Sequence, residues 1–471
     1  MDASMPRQKD YTFLALMILM YVLMRFRFYI GQCVYVLSIC IQQVKEVNAD
    51  YTRMSKPFYL VRKIVQVGSR AYAILWAEPT KGGDPMSYTS QYPLRRLAPA
   101  IEGEHCFFGY YDLPAFSADG RYHLCHRVEQ MTALPRPDEP CRLALIHGTD
   151  GSVETIGESR SWNFQQGAML QWLGPDYQRR IIYNDYRAGD YVSVVRDLAT
   201  GRETVHARPV AAVSTDGRYG LSVNFARIYD FRPGYGYCNR PDPYRDLDAP
   251  AEDGIFLLDL TAGTNRLLVS YAELLELFAF PPGTDEAKLV INHITFNPSG
   301  TRFVFLLRYL DAATGRWHTA IGSADLQGEI HPWTPYGMAS HYYWRDDETL
   351  LIYMERDGVE GLYELRDLTS DARRVYPELV DQDIHCSYSP DRRFLVGDTY
   401  PNAAGRREIL LIDREMQRHE WLASFHGPTP AITDIRTDLH VRWSPNGRLI
   451  SFDSIHEGFR GIYALDLTAL R

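Results

Sequence analysis

Short hydrophobic runs alternate with polar turns along most of this chain, and one such unit recurs seven times. Each copy has an apolar or aromatic residue, a turn resembling Ser/Asn-Pro-Asp-Gly, and then a run rich in Val, Ile, Tyr, Phe and Leu. Such runs predict β-strands, because the residues between them tolerate or fix the backbone angles that tight turns require. The anchoring residues of the seven copies are Phe116, Trp172, Val213, Phe296, Trp344, Tyr388 and Trp443.

The spacing of the copies indicates the architecture. Neighbouring anchors are separated by about 40 to 55 residues, with one gap of about 83, and this is the period of propeller blades. A repeat of this length holds four short strands and three turns. We therefore predict an all-β fold, a seven-bladed β-propeller of four-stranded antiparallel blades whose closed ring leaves only short edges.

The wide gap predicts insertions in the third blade rather than an eighth blade. Two strands are indicated within it, Leu221 to Phe231 and Gly254 to Ser270, with a loop rich in Gly, Pro, Tyr and Asp between them. The segment that begins at Tyr271 places several apolar side chains on one stripe, which indicates a helix. Long insertions on a rigid scaffold often carry function.

Three regions are predicted along the 471 residues. The propeller takes residues 101–471, a linker or accessory region takes 51–100, and a hydrophobic segment takes 1–50. Residues 11–41 of that segment hold two apolar runs, each shorter than the roughly 20 residues of a spanning helix. A membrane anchor, a signal peptide, an interfacial helix pair and an incorrectly assigned start are all open. The segment favours a periplasmic, exported or membrane-associated protein, and the oligomeric state is open.

Charge excludes one class of partner. The formal net charge is -9 and no Lys/Arg-rich run occurs. Nucleic acid is therefore not an expected partner, since phosphate binding needs a basic stripe. The aromatic content of 13% suits packed sheets first, and it also suits a surface on which sugar rings stack.

The cysteines signal neither a disulfide framework nor a zinc knuckle. They are seven in number, scattered and without a Cys-x-x-Cys pair. Cys106 and Cys125 lie on neighbouring stretches of the first blade and can face each other. Buried free thiols are the simpler interpretation.

Four consecutive copies of the repeat begin with histidine. Each of these residues, His293, His341, His385 and His440, precedes the anchoring aromatic residue by three positions. Equivalent positions on the innermost strands of adjacent blades face one channel, so the four imidazoles are predicted to converge there. Such a cluster suits a divalent metal, zinc or manganese. We expect three of the four to bind it rather than all four. The alternative is that each histidine hydrogen bonds to the next blade.

Other residues can supplement the predicted metal site. They are Gln382, Cys386 and Asp398, and all three lie close in sequence to His385.

A second group of polar residues lies in the first three blades. His105 precedes the first turn and His126 follows it, while Arg187 and Tyr229 come from the next two blades. Proton removal beside a carboxylate requires such groups: a cation to neutralise the carboxylate, a neutral base, and an acid for the departing oxygen. The alternative is a set of networks that brace loops.

These residues resemble the seven-bladed polysaccharide lyases, the ulvan lyases first and the oligogalacturonate lyases more distantly. The resemblance spans about residues 100 to 460. The motifs that carry it are Gly109-Tyr-Tyr-Asp112, the pair His105 and His126, Asn163-Phe-Gln-Gln-Gly167, Arg187, Asn224-Phe-x-Arg-x-Tyr229, and His385-Cys-Ser-Tyr-Ser-Pro-Asp with Asp398-Thr-Tyr-Pro.

The resemblance implies specific roles. His105 and His126 would be the acid/base residues, Arg187 would neutralise the uronate, and Tyr229 would assist or position. His293 and His385 would be metal ligands. The candidate substrate-binding residues are Tyr111, Gln171, Arg227 and Tyr235. Gln171 stands where a further catalytic tyrosine is expected, which puts complete elimination machinery in doubt.

Two functions from different classes remain open. The first is a lyase that cleaves an acidic, uronate-containing polysaccharide or oligosaccharide by β-elimination. The alternative is a non-catalytic, TolB-like propeller that binds a glycan or a protein. Fold alone does not choose between them, because propellers host many functions.

Overall fold

Seven antiparallel sheets form the computed structural model of the chain, and they confirm the predicted seven-bladed propeller. The structure describes residues 87–282, 284, 287–312, 314–430 and 432–470. The predicted N-terminal segment and residues 51–86 of the predicted linker lie outside these residues. In the described part of the chain, no helix is both long enough and apolar enough to cross a membrane.

The blades follow one another in chain order, and the first strand of each lies innermost. Blade 1 contains β3 His105–Phe107, β4 Tyr122–Val128, β5 Cys141–His147 and β6 Val153–Ser159. Blade 2 contains β7 Gln171–Trp172, β8 Arg180–Arg187, β9 Asp190–Asp197 and β10 Glu203–His206. Blade 3 contains β11 Ala212–Val213, β12 Tyr219–Ser222, β13 Gly254–Asp259 and β14 Thr264–Ser270. Blade 4 contains β15 Val290–Phe296, β16 Arg302–Leu310, β17 Trp317–Asp325 and β18 Ile330–Gly337; blade 5 contains β19 Ala339–Trp344, β20 Thr349–Arg356, β21 Val359–Arg366 and β22 Ala372–Val375. Blade 6 contains β23 Ile384–Tyr388, β24 Phe394–Thr399, β25 Arg406–Asp413 and β26 Arg418–His426; blade 7 contains β27 Arg442–Trp443, β28 Leu449–Ser454 and β29 Gly461–Asp466.

Two short N-terminal strands close the ring. Strand β2, Leu94–Arg96, pairs with β29 and supplies the outermost strand of blade 7. Strand β1, Tyr88–Ser90, pairs with β26 and adds a fifth strand to blade 6. The blades therefore include residues that precede position 101, within the predicted linker.

A buried Arg-Asp-Arg cluster joins blade 7 to the segments that follow β3 and β6. The Asp453 carboxylate accepts one hydrogen bond from Arg442 and one from Arg460, each of 2.8 Å. Arg442 also donates to the Gly109 carbonyl at 3.1 Å, and Arg460 donates to the Phe164 carbonyl at 2.8 Å. All three charged side chains are almost fully buried. Buried charges are tolerated only when they are paired in this way.

The recurring aromatic residue has a structural role that its sequence position predicts. The indole N–H groups of Trp172, Trp344 and Trp443 donate to backbone carbonyls of the preceding blade, at 3.1, 3.2 and 3.3 Å. The acceptors are Ala115, Thr295 and Ser387, and each of them directly precedes that blade's own anchor. Each tryptophan thus buries its ring between blades while its polar N–H stays satisfied.

The recurring turn is held by its own side chains. The hydroxyls of Ser117, Ser214 and Ser389 donate to an aspartate two residues later, over 2.6 to 2.7 Å. Ser and Asp are favoured in such turns because they bond locally to nearby groups.

The third blade carries both predicted insertions, but one predicted strand is wrong. The predicted strand Leu221 to Phe231 ends at Ser222, and helix α1 occupies Phe225–Phe231. Asn224 starts this helix because its side chain accepts the Arg227 N–H, which is a typical N-cap. The second predicted strand is the hairpin β13–β14.

The predicted second helix is present. Helix α2 occupies Tyr271–Leu277 after a capping box formed by Ser270 and Glu273. Two single-turn 3-10 helices, Thr433–Ile435 and Thr468–Leu470, complete the regular elements of the described residues.

Candidate functional site

Four histidines from four adjacent blades converge in the central channel, as the repeat predicts. The ring centroids of neighbouring pairs are 6.2 Å apart for His293 and His341, 4.1 Å for His341 and His385, and 4.5 Å for His385 and His440. Three of them lie on the innermost strands β15, β19 and β23, and His440 lies two residues before β27. The repeat thus brings the four imidazoles together.

Two tyrosines from the segment after β3 fill the channel beside these rings. The Tyr110 ring stacks on His293 at 4.9 Å and meets His440 edge-on at 4.9 Å. The Tyr111 ring lies 5.5 Å from His385, and its hydroxyl donates to the Tyr342 carbonyl at 2.7 Å. Tyr111, a predicted substrate-binding residue, is therefore a buried part of the channel.

Three side chains at one end of this cluster form a candidate metal centre. His385, Asp438 and His440 each offer one ligand atom, and these atoms all lie within 4.8 Å of one another. All three side chains are buried. Two imidazoles and one carboxylate are a donor set that suits zinc, manganese and iron.

The hydrogen bonds of the two histidines direct one nitrogen of each toward this centre. His440 Nδ1 donates to the Gly109 carbonyl at 2.8 Å, and His385 Nδ1 lies 3.0 Å from the Asp398 carboxylate. Among the described residues, neither Nε2 atom has a hydrogen-bond partner. Metal-binding histidines characteristically use one ring nitrogen for such an orienting bond and the other for the metal.

The Asp438 carboxylate is also without a hydrogen-bond donor in the described part of the chain. Arg436 Nε lies 2.7 Å from its Oδ2 atom as an ion pair, without the alignment of a hydrogen bond. A buried carboxylate that accepts no hydrogen bond is rare. The residues present therefore fit a divalent cation.

The pKa values of His385 and His440 shift in opposite directions. Burial lowers the pKa of His440 well below its usual value, with the neighbouring His385 acting in the same direction. Burial also lowers the pKa of His385, but the Asp398 carboxylate outweighs that effect and the result is a raised pKa. A cation at this centre would compete with a proton on His385.

The other two predicted ligands have partners elsewhere. His341 Nδ1 lies 3.0 Å from the Asp383 carboxylate, and His293 Nε2 lies 3.3 Å from the Tyr110 hydroxyl. His293 is half-buried, whereas the other three histidines are buried. Burial, with the guanidinium of Arg308 adding to it, lowers the pKa of His293 well below its usual value. His293 is therefore a neutral imidazole and the most exposed of the four.

The backbone of the cluster is strained at two histidines. The φ angles are +75° at His293 and +47° at His440, in the left-handed region that residues other than glycine rarely adopt. At His293 the pairing of β15 with β16 shifts register through a bulge. Strain of this kind concentrates at functional sites.

Arginines and tyrosines pack around the histidine cluster. Arg436 donates to the Tyr235 hydroxyl at 3.4 Å, and the Arg232 guanidinium lies 4.3 Å from the centre of the Tyr235 ring. The Tyr400 ring lies 5.2 Å from His385. Arg308 is buried, and burial with the nearby Arg232 lowers its pKa to about 10. This cationic rim suits an anionic ligand.

The predicted acid/base pair lies within blade 1. His126 is fully buried, its ring stacks on Phe107 at 5.1 Å, and its Nε2 atom accepts the Ala168 N–H at 3.0 Å. His105 is half-buried, and its Nδ1 atom accepts the Arg460 N–H at 3.2 Å. Burial lowers the pKa of both imidazoles, that of His126 to about 4. Both histidines thus have structural partners, and their catalytic role stays a prediction.

The other two predicted catalytic residues lie in blades 2 and 3. Arg187 donates to Asp185 at 2.7 Å and to Glu203 at 3.0 Å, so two carboxylates of its own blade already neutralise it. Tyr229 lies on α1 and is half-buried. Their predicted roles are untested.

The remaining predicted substrate-binding residues are buried. The Gln171 amide donates to the Met169 carbonyl at 3.3 Å, and Tyr235 contacts the histidine cluster through His293 at 5.4 Å. Arg227 is fully buried, pairs with Asp242 at 3.2 Å and donates to four backbone carbonyls of the insertion. These contacts of Arg227 match the alternative of a loop-bracing network.

The three residues predicted to supplement the metal site lie in different environments. Asp398 orients His385 rather than joining the centre, Gln382 is exposed, and burial raises the pKa of the Cys386 thiol. Asp438 was not predicted, although its position two residues before His440 was the available signal.

Asp112 gives a pH-dependent prediction for the channel. Burial raises the pKa of its carboxyl to about 6 from 3.8, and the Thr295 hydroxyl donates to it at 3.2 Å. The folded protein therefore binds more protons than the unfolded chain across this window, so Asp112 costs stability as the pH rises through it. We expect Asp112→Asn to stabilise the protein by about 1–2 kcal/mol at pH 7 and by less near pH 4.

Denaturant unfolding of both proteins at the two pH values checks this. Asp357→Asn, at a carboxylate that is 93% exposed, is the matched control and should change little. An equal loss of stability in Asp112→Asn at both pH values would contradict the prediction.

Comparison with known proteins identifies structural neighbours only. No protein-family model matches the chain, and a search of curated proteins also finds no match. An oligogalacturonate lyase in complex with manganese covers 81% of this chain and 96% of its own, with a TM-score of 0.57 and 15% identity. An oligogalacturonate lyase from Vibrio parahaemolyticus has the same coverage, with a TM-score of 0.55 and 13% identity.

A TolB structure from Acinetobacter baumannii covers 74% of this chain and 81% of its own, with 16% identity and a TM-score of only 0.35. This chain is thus similar in fold to oligogalacturonate lyase. The resemblance to ulvan lyases stays a prediction.

Proposed function

We propose that this propeller is a metal-assisted lyase that cleaves a uronate-containing polysaccharide or oligosaccharide by β-elimination. The observation that carries the proposal is the centre formed by His385, Asp438 and His440, whose ligand atoms converge without hydrogen-bond partners in the described residues. It lies beside a half-buried neutral histidine and a cationic rim. A manganese complex of a lyase with the same fold supports it.

The cationic rim would recognise the acidic sugar. Arg436 and Arg232 both contact the buried Tyr235, so two guanidiniums lie close together beside the histidine cluster. Guanidinium groups bind carboxylates in a bidentate manner. Their positive charge would stabilise the carbanion that forms when the proton beside the uronate carboxyl leaves.

His293 and Tyr110 would move the protons. A neutral His293 can accept the proton next to the carboxyl group, and it is the most exposed of the four histidines. Burial raises the pKa of Tyr110 well above its usual value, so its hydroxyl keeps a proton to donate to the departing sugar oxygen. The Tyr110 hydroxyl lies 3.3 Å from His293 Nε2. After the reaction the proton can therefore pass from His293 back to Tyr110, which restores both residues.

His385, His440 and Asp438 would hold the cation. When bound, a divalent metal supplies positive charge that lowers the energy of the developing anion. The Gly109 carbonyl and the Asp398 carboxylate keep both imidazoles turned toward the centre.

One experiment tests the proposal directly. Metal content of the purified full chain is measured beside ultraviolet absorbance of unsaturated uronates, on fragments of ulvan, pectin, alginate and glucuronan. Stoichiometric metal with rising absorbance would establish a lyase and its substrate. Metal without turnover would favour the alternative, a non-catalytic glycan-binding propeller whose fully buried cation has a structural role. If neither bound metal nor rising absorbance is found, the histidines would serve as ordinary hydrogen-bonding contacts between blades.

Replacement of the residue that orients His385 gives a graded test. We expect Asp398→Asn to weaken manganese affinity about 10–100-fold, because partners of this kind set ligand orientation and basicity. The asparagine oxygen can still accept the Val441 N–H that Asp398 accepts at 3.2 Å, so the fold should survive. Calorimetric titration with manganese measures the change. The control, Asp391→Asn, alters an aspartate in the recurring turn of the same blade and should leave the affinity unchanged; equal weakening in both variants would contradict the prediction.

A further inference from the structure

An arginine lies directly beside the carboxylate of the candidate metal centre. The Arg436 Nε atom is 2.7 Å from Oδ2 of Asp438, and the exposed fractions of the two side chains are only 13% and 1%. Asp438 forms no other ion pair with the residues that the structure describes. The carboxylate that would bind a cation is therefore already neutralised by a charge of the protein itself.

This ion pair lacks the alignment of a permanent buried pair. Neither carboxylate oxygen of Asp438 accepts a hydrogen bond in the described part of the chain, and Arg436 Nε donates none. Strong arginine–carboxylate pairs form short, well-aligned hydrogen bonds, frequently two in parallel. Here only the charges attract each other, so both oxygen atoms keep lone pairs that another ligand can use.

Arg436 also has partners other than Asp438. Its Nη1 atom donates to the Thr433 carbonyl at 3.2 Å, its Nη2 atom donates to the Tyr235 hydroxyl at 3.4 Å, and its guanidinium carbon lies 5.4 Å from the centre of the Tyr400 ring. The residue directly follows a single-turn 3-10 helix and lies outside the strands. A shift of its side chain away from Asp438 would therefore disturb no strand pairing of the blades.

A divalent ion at the centre would lie close to this guanidinium. The three ligand atoms lie within 4.8 Å of one another, and one of them belongs to the carboxylate that Arg436 approaches. Like charges repel strongly at short range in a buried site, where water and salt screen little. Burial lowers the pKa of Arg436, but Tyr235 and Asp438 outweigh that effect, so the group stays a cation. Its charge opposes that of an entering ion.

We propose that Arg436 is an internal counter-cation of the metal centre, which pairs with Asp438 when no ion is present and is displaced from it when a divalent ion binds. It is a positioning residue: it stabilises the buried carboxylate in the ion-free protein, and it lowers the affinity of the centre below that of the three ligands alone. The inference rests on the metal centre of the proposed function and does not depend on lyase activity.

Calorimetric titration of the full chain with manganese chloride tests the proposal. We expect Arg436→Gln, and Arg436→Met as a second neutral replacement, to bind manganese at least about tenfold more tightly than the original protein, because the repulsion is removed while the ligands remain. Arg436→Lys keeps the charge and should bind less tightly than Arg436→Gln. The matched control is Arg393→Gln, which breaks a pair of 2.8 Å with the buried Asp413 in blade 6 and should leave the affinity unchanged.

Thermal unfolding provides a second readout. Without metal, Arg436→Gln should have a lower Tm than the original protein, because the buried Asp438 carboxylate loses its cation. Manganese at one fixed concentration should raise the Tm of Arg436→Gln by more than that of the original protein, since tighter binding stabilises the folded state more. In Arg393→Gln, manganese should raise the Tm only as much as it does in the original protein.

Each outcome of the titration decides the proposal. Equal or weaker manganese binding by both neutral variants, when the original protein binds the ion, would overturn it and leave the metal centre standing. Manganese binding by the neutral variants alone would support it, whereas binding by none of the proteins would overturn it together with the metal centre. Asp438→Asn should abolish binding with either arginine or glutamine at position 436; persistent binding would place the ion elsewhere and also overturn the proposal. None of these results depends on turnover.

Discussion

His293→Asn is expected to lower the rate of unsaturated-product formation by about 10²–10⁴-fold, the usual contribution of a positioned acid or base. His293 is the half-buried imidazole of the cluster, its pKa is lowered so that it is neutral, and its Nε2 atom lies 3.3 Å from the Tyr110 hydroxyl. Asparagine is the suitable replacement because it tolerates the left-handed backbone at φ +75° better than most residues. The folded state should therefore persist.

The measurement is the initial rate of absorbance increase on the substrate that the panel identifies, across a range of pH. Tyr110→Phe should also lose activity, because the phenyl ring keeps the stacking on His293 and loses only the hydroxyl. His105→Gln is the matched control from blade 1. Full activity in His293→Asn, together with loss in His105→Gln, would return the acid/base role to the pair His105 and His126.

Asp453→Asn is expected to destabilise the protein by about 3–5 kcal/mol, which is the usual cost of removing one partner from a buried ion pair. Its carboxylate lies between Arg442 and Arg460, with 2.8 Å to each, and all three side chains are buried. The amide cannot neutralise either guanidinium, so two buried cations would remain unpaired. Because both arginines also bind carbonyls at the blade 1 side, the damage should be greatest where the ring closes.

Denaturant unfolding measures this effect, and hydrogen exchange locates it. The matched control is Asp357→Asn, an exposed site where the expected change is within about 0.5 kcal/mol. Exchange should increase first in β2 and β29, the strands that complete blade 7. A stability loss as small as that of the control would show that Asp453 does not hold the ring closed.

The seven blades could be predicted because the same residue types recur in the copies of the repeat. Six of the seven anchors are aromatic and each turn must bend tightly, so aromatic residues, serine and aspartate recur at similar positions within the copies. The closing strand was not predictable, because Leu94–Arg96 has three residues and no alternating pattern. Its pairing depends on β29, at the other end of the propeller. The helix at Phe225–Phe231 was missed because its apolar content also suits a strand.

The histidine cluster was predictable only in part. The fixed position before each anchor predicts convergence, and the ring distances agree. The choice of metal-facing residues depends on hydrogen bonds that the sequence does not encode locally. Asp438 replaces His293 and His341 in the candidate centre because those two rings have their own partners, Tyr110 and Asp383.

The sequence motifs did not predict which charged side chains are buried or already paired. Arg227 and Arg187 both occur in segments that suit catalysis by residue type. The structure shows that the first is committed to an insertion loop and the second to carboxylates of its own blade.

The pairing of β2 with β29 also constrains how the protein is made. Leu94 pairs with Leu465, about 370 residues later, so β2 waits for its partner through the synthesis of nearly the whole ring. During that time its backbone is an open edge, and unpaired edges invite aggregation. Arg95 and Arg96 are exposed on this strand, and charged side chains at an edge oppose such contacts. Closure of the ring is therefore a late step in folding, because it cannot occur before β29 has been made.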